Sequence, residues 1–144
     1  MTNQNNEKLN PTLLSGASLA YLGDCVYELF VREYLVRKNC RKPSVESLRY
    51  VTAPVQSSVV DRILPVLTEE ETDIFRRGKN CVHANIPKAS TPSEYRKATG
   101  LEALFGWLYL CGRQERLQEL FDLAFSESAQ EEKSDEAGTE SESR

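Results

Sequence analysis

The sequence predicts an all-α domain, and three observations carry that prediction. Apolar residues recur at a period near 3.6 along several stretches. Helix-start chemistry precedes the clearest of them: a Ser or Thr, then Pro, or Glu three places on. No run alternates apolar and polar residues as a half-buried strand does. The 144 residues suffice for one domain with a real core. The expected divisions are a flexible N-terminus (1–9), one folded body (10–126) and a disordered acidic tail (127–144).

The elements follow in order. A first helix covers about Ser15 to Arg37, with Leu19, Leu22, Val26, Leu29, Phe30 and Leu35 as apolar positions. Lys38 to Lys42 is polar and basic, and Pro43 interrupts it. Ser44 is placed to cap a short helix running to about Thr52. Pro54 suits the first turn of the next helix, which Pro65 ends or kinks near Leu64. Thr68 and Glu71 form a capping box, each side chain satisfying an orphan amide, for a helix from Glu69 to Arg77 stopped by Gly78. Thr91, Pro92 and Glu94 supply a cap, a first-turn proline and a capping-box acid for a helix to about Cys111. Gly112 separates it from a last helix, Arg113 to about Phe125.

Charge is unevenly placed. The chain carries a net −4, but Glu127 to Arg144 holds seven acidic and two basic residues, a net of −5. Arg32 to Lys97 holds thirteen basic and eight acidic residues, a net of +5, a stretch suited to face a polyanion. Cys25, Cys40, Cys81 and Cys111 lack metal-ligand spacing. Cys25 and Cys111 sit in apolar helical runs and are expected in the core. A single histidine argues against zinc. No signal peptide and no membrane-length apolar run stands out, which predicts a reducing, cytoplasmic setting without membrane contact.

The segment from Gly78 to Ser90 is long for a helix connection. Arg76, Arg77 and Lys79 open it, with Asn80 beside them, and His83 and Lys88 follow. Such a loop is a candidate for gripping substrate; a tolerated surface insertion is the plain alternative.

Two carboxylates carry the chemistry. Asp24 follows Gly23 on the first helix, and Glu102 lies between Gly100 and Gly106 on the helix after Pro92. Each interrupts an apolar pattern, where a carboxylate needs a hydrogen bond, a partner or a cation. Ala20, Asp24 and Glu28 share a face. The glycines cost a helix about 1 kcal/mol each relative to alanine. Close approach of another backbone explains them, with the first helix crossing at Gly23. That crossing brings Asp24 and Glu102 to one cation. Oxygen ligands without histidine favour Mg²⁺ or Mn²⁺, which can promote phosphodiester hydrolysis. Pairing of the glutamate with Arg96 or Arg113 is the alternative.

The run Leu19-Ala20-Tyr21-Leu22-Gly23-Asp24-Cys25-Val26-Tyr27-Glu28 resembles the signature of the ribonuclease III catalytic domain. It is closer still to the mini-ribonuclease III form, which lacks a double-stranded-RNA-binding domain. Glu94-Tyr95-Arg96 with Leu101 to Leu110 resembles the second motif, and Arg76-Arg77-Gly78-Lys79-Asn80 the segment between. The resemblance implies that Asp24 and Glu102 are catalytic metal ligands for Mg²⁺, with Mn²⁺ as a substitute. Full-length ribonuclease III has acids where this chain has Ala20 and Thr99, a departure the mini form shares. Glu28 and Thr99 remain candidates for supporting the ligands without touching the metal.

It further implies an all-helical two-fold homodimer whose two sites each cut one strand of double-stranded or structured RNA. The implied substrate is precursor of the large-subunit (23S) ribosomal RNA, with a ribosomal protein as a possible presenter. Tyr27, Phe30 and Val31 are expected at the dimer interface. Arg76, Arg77, Lys79, Asn80, Lys88, Arg96 and Lys97 are the expected RNA contacts. His83 is expected at the surface or on RNA rather than as a general base. The rivals are a non-catalytic RNA-binding or ribosome-associated protein on the same fold, a helical module that binds through its acidic tail, and a deoxyribonuclease or other phosphohydrolase.

Overall fold

A computed structural model describes residues 8–81 and 88–126, and all regular structure among them is helical. The helices are α1 (Gly16–Arg37), α2 (Pro43–Glu46), α3 (Ala53–Ile63), α4 (Glu69–Asn80), α5 (Pro92–Leu110) and α6 (Gln114–Ala124). Single 3-10 turns precede α1, follow α2 and follow α3. His83, the first residues of the N-terminus and the acidic tail from Glu127 lie outside the described residues.

Side-chain capping sets the starts of the three longest helices. Ser15 accepts the Ser18 amide at the start of α1. At α4 the Thr68 oxygen accepts the Glu71 amide while the Glu71 carboxylate accepts the Thr68 amide. Thr91 accepts the Glu94 amide, with Pro92 in the first turn of α5. At its other end α5 closes on Gly112, at φ +72°. There the Gly112 amide donates to Tyr109 and the Arg113 amide to Leu108. Asn39, at φ 56°, closes α1 with the same pair of bonds, to Val36 and Leu35.

Helix α5 is the axle of the molecule. Ala98, Gly100, Leu101 and Ala103 to Leu108 are buried, because α1, α3, α4 and α6 all pack around it. A helix enclosed on most sides is apolar on most sides. A second cluster joins α1 to α6: Tyr27 and Phe30 meet Phe105 and Phe121, and Tyr34 and Tyr50 meet Phe125. Glu71 ties α4 to α6, its two oxygens accepting from Nη2 and Nε of Arg116 at 2.8 and 3.0 Å. Burial pushes this carboxyl up, but the Arg116 and Thr68 hydrogen bonds outweigh it and hold it below its usual range.

Several expectations are corrected. Gly78 does not stop α4, which runs on to Asn80. A Cβ at Gly78 would lie 2.4 Å from the Ala103 Cβ, so this glycine lets α4 approach α5. Helix α2 begins at Pro43 without a side-chain cap and gives way to a 3-10 turn at Ser47, so Ser44 is not its cap. Cys25 is exposed and Cys111 only half-buried. Leu29 points to solvent. Tyr27, Phe30 and Val31 are core residues, 1%, 7% and 0% exposed, and have no surface to offer an interface.

Candidate active site

Helices α1 and α5 touch backbone to backbone. A Cβ on Gly23 would fall 1.5 Å from the Glu102 carbonyl oxygen, and one on Gly106 would fall 2.2 Å from the Leu19 carbonyl oxygen. Nothing larger than hydrogen fits at either position. Asp24, the residue after Gly23, is thereby held beside Glu102. Gly100 serves a different contact: a Cβ there would meet the Phe75 ring of α4 at 2.7 Å.

The two carboxylates differ in environment. Asp24 is exposed, whereas Glu102 is partly buried in the helix crossing. Burial, reinforced by the Asp24 carboxylate, pushes the Glu102 carboxyl up to about 8. Among the described residues no hydrogen bond or ion pair compensates it, so neither Arg96 nor Arg113 is its partner. Arg113 instead meets Glu70 and lies 4.8 Å over the Trp107 ring. Two adjacent carboxylates without a basic partner form a site that a hard divalent cation completes. Among the described residues no third Asp, Glu, His or Cys joins them, so further ligands have to come from water or a bound phosphate. The residues present therefore fit a divalent cation carried largely by oxygen ligands from outside the chain.

Tyr27 is a neighbour that sequence reasoning put elsewhere. Its hydroxyl donates to the Tyr50 carbonyl at 2.6 Å. Burial, with the nearby Glu102 charge, raises its pKa, so the phenol stays protonated. It forms an apolar, neutral wall behind Glu102. Its position three residues after Asp24 was the available signal.

The supporting and RNA-contact candidates fall into groups. Glu28 is paired with Arg32 at 2.8 Å, and the Thr99 hydroxyl donates to the Tyr95 carbonyl at 3.0 Å. Each is thus engaged with a residue of its own helix. Arg77 donates to the carbonyls of Thr12 and Leu14, which latches the segment before α1 onto α4. Lys97 pairs with Asp61 at 2.9 Å. Arg76 is exposed and 3.9 Å from Asp73. Asn80, Lys88 and Arg96 are exposed and Lys79 half-buried. Gly78 packs on Thr99 and Ala103, so the end of α4 with Lys79 and Asn80 meets α5 within one turn of Glu102. A cleft of ≈ 810 Å³ between Thr12 and Arg77 contains neither carboxylate.

Comparison with known proteins agrees with this arrangement. The ribonuclease III domain family matches residues 17–113, which include both carboxylates and the helix crossing. The mini-ribonuclease 3 of Symbiobacterium thermophilum is 44% identical over 118 residues, covering 80% of this chain and 91% of that protein. The mini-ribonuclease 3 of Clostridium tetani is 37% identical over 138 residues, covering 91% of this chain and 88% of that one. A Fusobacterium nucleatum protein solved by X-ray crystallography superposes with a TM-score of 0.70 at 33% identity, over 77% of this chain and 91% of its own. The motifs, the crossing that joins the two carboxylates and these relatives agree: the chain belongs to the ribonuclease III family, in its mini-ribonuclease 3 branch.

Proposed function

We propose that this chain is a metal-dependent endoribonuclease that hydrolyses phosphodiester bonds in double-stranded or structured RNA. The observation that carries it is the uncompensated pair Asp24 and Glu102, held together by the Gly23–Gly106 crossing. Membership of the mini-ribonuclease 3 branch supports the choice of RNA. Asp24 and Glu102 are the proposed ligands of Mg²⁺, with Mn²⁺ able to substitute. The bound cation supplies charge that polarises the phosphodiester and eases deprotonation of an attacking water. A cation at Glu102 would compete with its proton, because both draw on the same carboxylate charge. Tyr27 stays neutral behind it and excludes water from one side. Arg76, Lys79, Asn80, Lys88 and Arg96 are the proposed phosphate contacts.

Assembly belongs to the same proposal. Tyr21, Cys25 and Leu29 lie four residues apart on α1 and are exposed, Tyr21 at 87% and Leu29 at 57%. This stripe flanks Asp24, so a two-fold contact there sets two sites toward one duplex. The proposed substrate is precursor large-subunit ribosomal RNA, presented with or without a ribosomal protein. The proposed setting is the cytoplasm, where the four free thiols stay reduced. No helix among the described residues is long and apolar enough to cross a membrane.

The test is incubation of structured precursor ribosomal RNA with Mg²⁺ and with a chelator, using wild type and Asp24→Asn. Discrete Mg²⁺-dependent cuts, absent in the variant, are expected. Binding without cutting by the wild type would favour the non-catalytic rival.

A further inference from the structure

The turn between α1 and α2 is a basic elbow outside the proposed active site. Arg37, Lys38, Arg41 and Lys42 fall within six positions with no acid between them. Arg37 is paired with Glu33, and the Lys38 ammonium lies 4.5 Å over the Tyr34 ring. Arg41 and Lys42 are exposed, and among the described residues neither has an ion-pair partner. They line a cleft of ≈ 460 Å³ with Cys40 and Glu46, and that glutamate lies 3.9 Å from Arg49. Two such cations at the rim of a cleft suit an anion from outside the chain.

Local bonds fix the shape of the elbow. Asn39 is in the left-handed conformation, and the amides of Asn39 and Cys40 donate to the carbonyls of Val36 and Leu35. The chain beyond it is fastened back to α1. The Tyr27 hydroxyl donates to the Tyr50 carbonyl at 2.6 Å, and the Tyr34 and Tyr50 rings meet at 5.9 Å. Burial shows on which side of α1 this chain lies. Val31 and Leu35 come seven and eleven residues after Asp24, about two and three turns on, and so share its side of the helix. Asp24 is exposed there, whereas Val31 and Leu35 are 0% and 4% exposed. Helix α2 and the 3-10 turn after it pack on α1, and Cys40 and Tyr50 lie against the cluster that holds Val31 and Leu35. The elbow therefore rises on the side of α1 that carries Asp24, and from Asp24 to Arg37 the helix advances about 20 Å.

We infer that the elbow is a second phosphate-binding site, where Arg41 and Lys42 hold the stem of a duplex RNA about 20 Å along from the bond that is cut. This rests on the endoribonuclease reading above. A single carboxylate pair and its cation grip little of a duplex. Modules that bind duplex RNA by its shape span about 16 base pairs, through phosphates and 2′-hydroxyls, and the elbow falls within such a span. The contact is to the backbone, so it positions the stem and carries no base sequence. Stem length beyond the cut thereby becomes a determinant of affinity. The contact is electrostatic and exposed, so salt weakens it.

The test measures binding of two RNA hairpins to the full chain and to its Arg41→Gln, Lys42→Gln double variant, with a chelator present so that nothing is cut. One hairpin has a stem of about 16 base pairs, and the other, of about six, ends short of the elbow. The variant is expected to bind the long stem about tenfold more weakly, with a salt slope lower by about two, and to bind the short stem as the wild type does. At saturating enzyme in Mg²⁺ it should cut the long stem at the wild-type rate, because neither residue touches the cation. Unchanged affinity and salt slope on the long stem would overturn the elbow site. So would an equal loss on both stems, which marks a general loss of positive charge. If neither protein cuts while the length-dependent difference persists, the catalytic reading fails and the elbow site stands.

Discussion

Glu102 keeps its proton to about pH 8, where an ordinary glutamate loses it near 4.5. Between those values the folded metal-free chain binds a proton that the unfolded chain has released. The contribution of this residue to stability is therefore fully present below 4.5 and is lost as pH rises through 8. Thermal melts without metal should show the wild type losing ground to Glu102→Gln across that window, and Mg²⁺ should restore the wild type alone. Parallel melting curves would remove the unusual carboxyl. Asp24 and Glu102 were legible because a carboxylate inside an apolar period is anomalous in one dimension. Arg77 was not legible, since the carbonyls it holds lie 65 and 63 residues away in sequence. Arg77→Ala should accordingly lower stability by about 1.5–3 kcal/mol through lost charged hydrogen bonds. Arg76→Ala should leave melting unchanged and weaken RNA binding, a contrast that denaturation and filter binding read directly.

At the scale of elements, capping and proline signals placed the helix starts within a residue or two, because those signals are local chemistry. The crossing of α1 and α5 was foreseen from Gly23, Gly100 and Gly106, since a helix tolerates glycine at a cost that only close packing offsets; Gly106 makes that contact, whereas Gly100 meets Phe75 of α4. Gly78 misled, because the same residue type serves helix ends and helix contacts, and only the neighbour distinguishes them. Gly23→Ala should be among the most damaging single-methyl changes in the chain. Its Cβ would sit 1.5 Å from a carbonyl oxygen, so α1 must move away from Glu102. A loss of about 3 kcal/mol with loss of cleavage is expected, whereas a wild-type melt would show that the crossing is looser than described. The Glu71–Arg116 tie sits at the other end of α4. Its carboxyl is held low, so its contribution is present above the unfolded value of 4.5 and fades as pH falls below it.

Asp24 is exposed on α1, so the proposed site opens to solvent, as cutting of a duplex would require. The dimer was a family expectation, and the residues expected at its interface lie in the core instead. Burial of Tyr27, Phe30 and Val31 depends on Phe105 and Phe121, partners that periodicity along α1 does not reveal. The exposed stripe of Tyr21, Cys25 and Leu29 now carries the assembly proposal. Tyr21→Glu should halve the mass seen by light scattering and reduce cleavage by at least about tenfold, since a duplex then meets one site at a time; an unchanged mass would move the interface elsewhere. Truncation after Ser126 should leave both mass and cutting largely intact, because Asp24, Glu102 and the exposed stripe of α1 all precede residue 127. The central claim is that Asp24 and Glu102 hold the cation that cuts RNA. Single-turnover cleavage of an end-labelled structured RNA by Glu102→Gln, in saturating Mg²⁺, tests it most directly. The account predicts that the variant binds the RNA as the wild type does and cuts it at least about a thousandfold more slowly. Cleavage at the wild-type rate would contradict it.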